Sequence, residues 1–446
     1  MEDIFQRLAA LGAGIPELLL PRPGIDLDKW AVIACDQFTQ DGLYWDRVRR
    51  FVGTAPSALN LIFPEIYLGG GDREERAGNI HRAMETYLRE GVFAPPHRGF
   101  IYTERRTSLR PLRRGLVFTI DLEQYDWAPH ARPLIRSTEG TVPERLPPRM
   151  EIRRRAPLEI PHILLLIDEE EDRLLPGLAA RAKGRLPLYD TSLMLDAGGV
   201  RGWLLDQEED WTCLADGLEN LARKAETRYG QRDDTPFLYA VGDGNHSLAT
   251  AKAVWEEYKA AHGGAGGVDH PARWALVEVE NLYDPGIVFE PIHRVLFGPP
   301  AGEVLEALSA LPGFSRRSVG DRAELVRLVG DPAAPAARLG LFAGSEPFLI
   351  ESGAPGLITD SLQPLLDRFI ADHGGAYGID YIHGEDELFR LAGNPEHPAV
   401  GLLLPPIKKS GLFQTVARRG PLPRKSFSMG EAAEKRFYLE CRRLFG

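Results

Sequence analysis

The sequence predicts an α/β protein built around a central mixed sheet, with α+β mixing in the flanking regions left open. Two observations carry this. Between residues 162 and 295, apolar strand-like runs alternate with amphipathic helix-like runs, the pattern of helices packed on a sheet. At the centre of that stretch, Phe237-Leu-Tyr-Ala-Val241 ends in the polar turn Gly242-Asp-Gly-Asn-His246, and a helical stripe starts at Ser247. A strand that turns sharply into a helix aims backbone N–H groups and the positive helix end at one point, a seat for an anion.

In chain order, residues 2–11 have the spacing of a short helix. Residues 30–34 read as a buried strand ending at Cys35-Asp36-Gln37, and ligands of α/β sheets gather at such strand ends. Residues 42–51 are expected to be helical, and Ala77, Ile80, Met84, Tyr87 and Leu88 predict a helix over 73–90. Residues 100–103 and 116–122 read as strands. The segment 129–161 is rich in Pro and Arg. Pro143, Pro147, Pro148, Pro157 and Pro161 exclude a continuous helix, so it reads as a linker or a loop laid on the surface. Within it, Arg136-Ser-Thr-Glu-Gly-Thr141 is a polar cluster able to close over a site.

Residues 162–167 form the next expected strand, and the acidic run 168–172 complements a helix N-terminus. Residues 200–205 read as a strand. Trp211, Leu214, Leu218, Leu221 and Ala225 step by three and four, an amphipathic helix. Leu248, Ala251, Trp255 and Tyr258 make the stripe of the helix after the central turn, which the glycine-rich run 263–267 ends as a flexible loop. Strands at 274–279 and 287–289 lead into Glu290-Pro-Ile-His-Arg294, and Gly298-Pro-Pro300 marks a boundary. Two helices and short strands follow to about 360, then a helix carrying Leu362, Leu365, Leu366, Phe369 and Ile370. Ser428-Met-Gly-Glu431 fits a capping box opening a C-terminal helix. The expected regions are 1–128 (α/β), 129–161 (connecting), 162–297 (core, with the central turn) and 298–446 (α/β).

The 446 residues are 43% hydrophobic and 26% charged, which fits a globular chain of two or three domains. Cys35, Cys213 and Cys441 have neither metal-type spacing nor a disulfide framework, as suits a reducing compartment. The N-terminus lacks a basic region and a small-residue cleavage site, and the apolar run 163–167 is far too short for a bilayer. A cytoplasmic protein without a membrane partner is expected. The net charge of −11 argues against bulk nucleic-acid binding. Two basic islands stand against it, seven arginines over 131–155 and six cations with no acid over 408–430. Each alone is most simply a solvated face; together they suit a compact anionic ligand.

Several side chains bear chemistry. Asp243 can take a proton from a substrate hydroxyl or hold Mg²⁺, but Asp243 or Asn245 can equally be a helix cap. Gly244 permits a tight turn, and His246 can donate to a phosphate oxygen or shuttle a proton. His293 and Arg294, near Glu290, form a second polar pair whose plainer reading is a salt-bridged strand end. Glu139 is a candidate acid or base and Arg136 a candidate phosphate clamp. Arg424 and Lys425 are candidate cations for a transferring phosphoryl group. The turn is not a Walker loop, and no nucleophile elbow is present. Gly244-Asn-His246 matches one motif of calcineurin-like metallophosphoesterases, but the Asp-x-His pair they also need is missing.

The residues resemble those of the bacterial proteins grouped as domain of unknown function 1015, marked by a strand, Asp-Gly-His/Asn-His-Arg/Ser and a helix. Here the motif reads Asp243-Gly-Asn-His-Ser247. The resemblance extends to Asp36-Gln37, Thr138-Glu139-Gly140, Leu188-Tyr-Asp190, Pro291-Ile-His-Arg294 and Pro423-Arg-Lys-Ser426. The motif is also similar to the phosphate-holding loops of sulfiredoxin and of ParB-like free-serine kinases. That resemblance implies a ParB/sulfiredoxin-like strand–loop–helix core, with Gly244, Asn245, His246 and Ser247 at phosphate and Asp243 beside the reaction centre; Gly242, which opens the turn, is a further candidate for holding the cofactor. Ser247 stands where the serine kinases have arginine, so a phosphate-binding cation must come from elsewhere. The missing cysteine removes sulfiredoxin chemistry.

The expectation is a nucleotide- or phosphate-binding protein using ATP or ADP with Mg²⁺, a kinase for a small hydroxyl compound such as a serine-like metabolite. Asp243, His246 and Glu139 would be its catalytic groups; Arg136, His293, Arg294 and Lys425 would help to hold the phosphorylated ligand. A non-catalytic nucleotide sensor is the alternative, and a ParB-like DNA-binding protein stands behind both.

Overall fold

Long apolar strands that must bury both faces set the architecture of the first part of the chain. The computed structural model of the chain describes all residues except 1, 231–234, 264–266, 268–269, 345, 354–356, 397 and 446. Two units emerge: Met1–Val288 with Val416–Gly420 and Glu431–Gly446, and Phe289–Thr415 with Pro421–Gly430.

The first unit is α/β, with a ten-stranded mixed sheet. Its path runs through Tyr189–Ser192, Gly199–Leu205, Phe100–Arg106, Arg113–Asp121, Trp274–Asn281, Leu164–Ile167, Tyr239–Asp243, Ile135–Ser137 and Tyr125–Asp126, with Ala13–Gly14 beside Arg113–Asp121. Most pairs are antiparallel. Leu164–Ile167 runs parallel to Trp274–Asn281, and Tyr239–Asp243 runs parallel to Ile135–Ser137. The central strand Tyr239–Asp243 is therefore an interior strand, as its apolar run implies. The helix Glu208–Tyr229 buries Trp211, Leu214, Leu218, Leu221 and Ala225, the stripe its spacing predicts. The helix Arg73–Arg89 buries Ala77, Ile80 and Met84.

The Pro/Arg-rich stretch is more ordered than its composition suggests. It contributes the strand Ile135–Ser137 and the helix Pro147–Arg153, whose two prolines occupy the first turn, where no N–H is missed. The glycine run expected as a loop at 263–267 lies in part outside the described residues.

The C-terminal helix expected after Ser428 does not form. Glu431 opens only the short 3₁₀ turn Ala432–Glu434. Beyond it Phe437–Tyr438 pairs with Val32–Ile33, Cys441 bridges Leu19, and Arg442–Arg443 pairs with Leu158–Glu159. Extended pairing buries Phe437, Tyr438, Leu439, Cys441 and Leu444 in the core of the first unit, and it brings charged side chains into buried partnerships. Arg436, 4% exposed, bonds Glu278 and reaches Glu440 Oε2 at 2.7 Å; Thr103 Oγ1 donates to Glu278 at 2.6 Å. A Cβ at Gly115 would collide with that Glu278 carboxylate, so glycine is required in the strand there.

The second unit is a seven-stranded antiparallel sheet. Its path runs Ser315–Ser318, Glu346–Ser352, Ala337–Ala343, Ala399–Leu403, Phe289–Phe297 and Gly378–His383, with Phe427–Met429 beside the start of Phe289–Phe297. Leu341, Ile350 and Leu402 join one core with the helices Ala301–Leu308 and Ile358–Asp372. Phe342, Leu349 and Leu403 join another with Arg322–Val329 and Glu385–Ala392. Alternate residues feed opposite faces, as the two-residue period of a strand demands. Glu290-Pro-Ile-His-Arg294, expected to follow a strand, lies inside the strand Phe289–Phe297. Among the described residues of the chain, no helix is long and apolar enough to cross a membrane.

Candidate functional site

The central turn folds as its residues dictate. The strand ends at Asp243, Gly244 takes φ 78° and ψ 28°, and the helix Asn245–Ala261 begins at the next residue. That left-handed conformation favours glycine. A Cβ at position 244 would also lie 3.1 Å from the Ile163 Cα, so the small residue lets the junction press against the neighbouring chain. Neither Asp243 nor Asn245 is the cap. The N-cap is Gly244, which brings no side chain to the helix N–H groups. Asp243 Oδ1 instead accepts from the Gly244 N–H at 3.0 Å, and Oδ2 lies 3.2 Å from Lys435 Nζ. Asn245 Oδ1 is buried without a hydrogen-bond partner.

The strand Leu164–Ile167 runs antiparallel to the central strand with Leu164 opposite Asp243, which brings His162 to the same end of the sheet. The His162 ring bridges two hydroxyls, Ser247 Oγ at 3.0 Å from Nε2 and Tyr438 OH at 2.8 Å from Nδ1. Tyr438 OH also accepts from the Cys35 N–H at 3.1 Å. Asp36 Oδ2 stands 3.8 Å from His162 Nε2, and its Oδ1 accepts from Gln37 at 3.0 Å. Burial pushes the Asp36 carboxyl up, but His162, the Gln37 bond and Lys435 together hold it below the usual carboxylate range. The Tyr438 phenol is pushed well up, first by burial and then by Cys35 and Asp36, and so stays protonated. The result is a compact set of two carboxylates, a lysine, an imidazole and two hydroxyls at one sheet end.

The polar cluster of 136–141 lies along the central strand. Thr138 Oγ1 donates to the Val241 carbonyl at 2.5 Å, and Ser137 pairs with Val241 in the parallel ladder. His246 Nε2 accepts from the Val142 N–H at 3.4 Å, tying the same segment to the helix. Gly242 is the penultimate residue of the strand. The Arg136 guanidinium bonds the Pro133 and Thr235 carbonyls and lies 4.7 Å over the Phe237 ring. Lys435 is a cation on Asp243.

His293, Arg294 and Lys425 belong to the second unit. His293 Nδ1 accepts from the Leu404 N–H at 3.0 Å, and burial, then Arg294 and His383, push its pKa down to about 4. Arg294, fully buried, donates to Gln363 Oε1 and to the Ile292 and Lys425 carbonyls, and lies 4.7 Å over Tyr381. Lys425 contributes its carbonyl to that set at a φ of 58°.

His162, Lys435 and Tyr438 carry no local motif, so nothing in their own stretches of sequence marks them as partners of the turn. Asp36 alone among the added residues had a signal, its place at a strand end. Among the described residues no group of three or more His, Cys, Asp or Glu side chains could hold a metal ion.

The family model described as "Protein of unknown function (DUF1015)" matches residues 19–346. No curated protein matches. Among solved structures the chain is similar to a conserved hypothetical protein from Pyrococcus furiosus at 12% identity, covering 72% of this chain and 94% of that one, with a TM-score of 0.37. A free serine kinase in complex with AMP is 11% identical over 74% of this chain and 92% of its own, with a TM-score of 0.39. SbnI with a C-terminal truncation from Staphylococcus aureus is 10% identical over 70% and 82%, with a TM-score of 0.36.

Proposed function

We infer, for a chain that belongs to the DUF1015 family of proteins of unknown function, a site that binds the phosphates of a nucleotide and passes a phosphoryl group to a small hydroxyl compound. The observation that carries this reading is Lys435, 3.2 Å from Asp243, at the uncapped start of the helix Asn245–Ala261. The first-turn N–H groups of a helix have no acceptor inside it. A lysine beside them supplies the cation missing at Ser247. The buried Asn245 Oδ1 wants a donor, which a ligand hydroxyl provides.

Asp243 is the proposed base: its Oδ2, released from Lys435 as that cation turns to phosphate, takes the proton of the acceptor hydroxyl. Glu139, two residues past the end of the ladder between Ile135–Ser137 and the central strand, is the alternative base. His162 and Ser247 hold the acceptor in line, and His246 fixes the 138–142 segment. Asp243 is the side chain that would hold a Mg²⁺ ion arriving with the nucleotide, since this cation is commonly held through one or two carboxylates plus substrate phosphates. The ion would neutralise charge on the transferring group.

The test is a thermal-shift series with ATP, ADP and pyrophosphate, each with and without Mg²⁺, on the wild type and on Lys435→Met and Asp243→Asn. A ligand at a hundred times its Kd adds about 2.7 kcal/mol of stability. The expected result is a shift with ATP and ADP that Lys435→Met largely removes. Asp243→Asn should keep the shift and lose turnover. No shift with any nucleotide, or the same shift in Lys435→Met, sinks the reading. Binding without turnover across hydroxyl acceptors would assign the site to a nucleotide sensor instead.

A further inference from the structure

We propose that a cavity of the first unit, walled in part by His162 and Ser247, is a binding site for a small hydroxycarboxylic acid with an apolar body. Its volume is about 140 Å³. An engineered apolar cavity of about that size takes up benzene, so there is room for one ring or a branched aliphatic chain.

Most of the wall is apolar, including Ile62, Phe63, Met84, Leu158 and Ile163. Such a surface favours hydrocarbon over a sugar or a second phosphate. His162, Ser247, Thr250 and Tyr438 add hydroxyls and an imidazole that both donate and accept, matching a ligand hydroxyl. That hydroxyl rests on the phosphoryl-transfer reading above; the apolar body and the carboxylate do not.

The carboxylate follows from charge. Arg149, also in the wall, is fully engaged with Glu65 and the Arg145 carbonyl. Arg153 is not. Its partner Glu159, 2.5 Å from Nη2, is shared with Arg442. Two guanidiniums on one carboxylate leave a positive charge in excess beside the cavity. Arg153 Nε is buried and has no hydrogen-bond acceptor. An excess buried charge with an unmet donor is costly unless paired, and a ligand carboxylate supplies both counter-charge and acceptor.

Isothermal titration of the full chain with phenyllactate, leucic acid, phenylacetate, phenylethanol and lactate tests this without nucleotide. Phenyllactate or leucic acid should bind; phenylacetate lacks the hydroxyl, phenylethanol the carboxylate and lactate the apolar body, and each should bind more weakly. Arg153→Met should weaken hydroxy-acid binding roughly tenfold, the worth of one charged hydrogen bond, and leave phenylethanol unchanged. Should Arg153→Met fail to fold, Met84→Trp, which fills the cavity, should abolish binding of the hydroxy acids and of phenylethanol alike, with circular dichroism melts certifying the fold. Failure of both hydroxy acids to bind, or affinity untouched by a folded variant of either kind, overturns the proposal. The nucleotide shift on the same samples separates the two ideas. Acid binding without it leaves the cavity standing and the phosphate site refuted; a nucleotide shift without acid binding does the reverse.

Discussion

Lys435 is 6% exposed and its ammonium sits on Asp243, so each group is the other's main answer to losing water. Lys435→Met leaves a half-buried carboxylate unpaired. The expected cost is about 1–3 kcal/mol in a urea melt. Gly244→Ala adds a methyl group 3.1 Å from the Ile163 Cα at φ 78°, and left-handed backbone alone costs a non-glycine residue about 1–2 kcal/mol. A melt at least that much lower is expected, and an unchanged melt would show that the turn relaxes. Asp243, Gly244 and Asn245 were legible because a strand–turn–helix junction is local chain geometry. Lys435 and His162 were not, because their roles exist only once distant segments share a sheet end. His293 was legible as a polar residue near a strand, but its burial as a neutral acceptor was not. Its folded pKa of about 4 lies below the ordinary value near 6.5, so its contribution is complete above about 6.5. It is lost as pH falls from there toward 4, where the folded state must also take the proton and give up the Leu404 bond. Stability of the second unit should fall by on the order of 3 kcal/mol across that window, and His293→Gln should flatten the slope measured by melts from pH 7 to pH 4.

At the scale of elements, amphipathic stripes were the reliable signal. The helix Glu208–Tyr229 is set by its apolar face, but its start is fixed by Asp210, fully buried. Asp210 accepts from the Gln207 N–H at 3.1 Å and pairs with Arg181 at 2.6 Å and Arg185 at 2.7 Å. Asp210→Ala removes a cap and one carboxylate shared by two part-exposed guanidiniums, of which Arg185 keeps the Leu204 carbonyl and Asp206, so about 2 kcal/mol is expected rather than the roughly 1 kcal/mol of an ordinary cap. Equal losses in Asp210→Ala and in a simple cap deletion would show the arginines to be irrelevant. Short elements escaped the sequence for a reason the strand Ile135–Ser137 illustrates. Three residues have no periodicity to read, and their strand state comes from the ladder with Tyr239–Asp243. Ser428 illustrates the opposite error. The local capping pattern was present, yet pairing of Phe437–Tyr438 and burial of Leu439, Cys441 and Leu444 in the core outweighed one helix start.

Across the whole molecule, the alternation of strands and helices was enough to indicate α/β, while the antiparallel character of most pairs was not. Nor did any stretch announce that Glu431–Gly446 returns to the first unit. That return supplies Lys435, Arg436, Tyr438 and Arg442, and with them the partners of Asp243, Glu278, His162 and Glu159. Ending the chain after Gly430 should therefore abolish the cooperative melt of the first unit, with the antiparallel unit's helical and strand signal retained in circular dichroism. A truncated chain that melts as before would mean the returning segment is dispensable. The first unit is assembled from three portions of sequence, and nearly all of the second unit is made between the first portion, Met1–Val288, and the last, Glu431–Gly446. On the ribosome, where residues emerge in order and domains fold as they are released, the earlier portion must wait, its carboxylates unanswered, until everything between has been translated. A chaperone that shelters nascent polypeptide would thus meet this protein at its most vulnerable, and a pause placed before codon 431 would prolong that exposure.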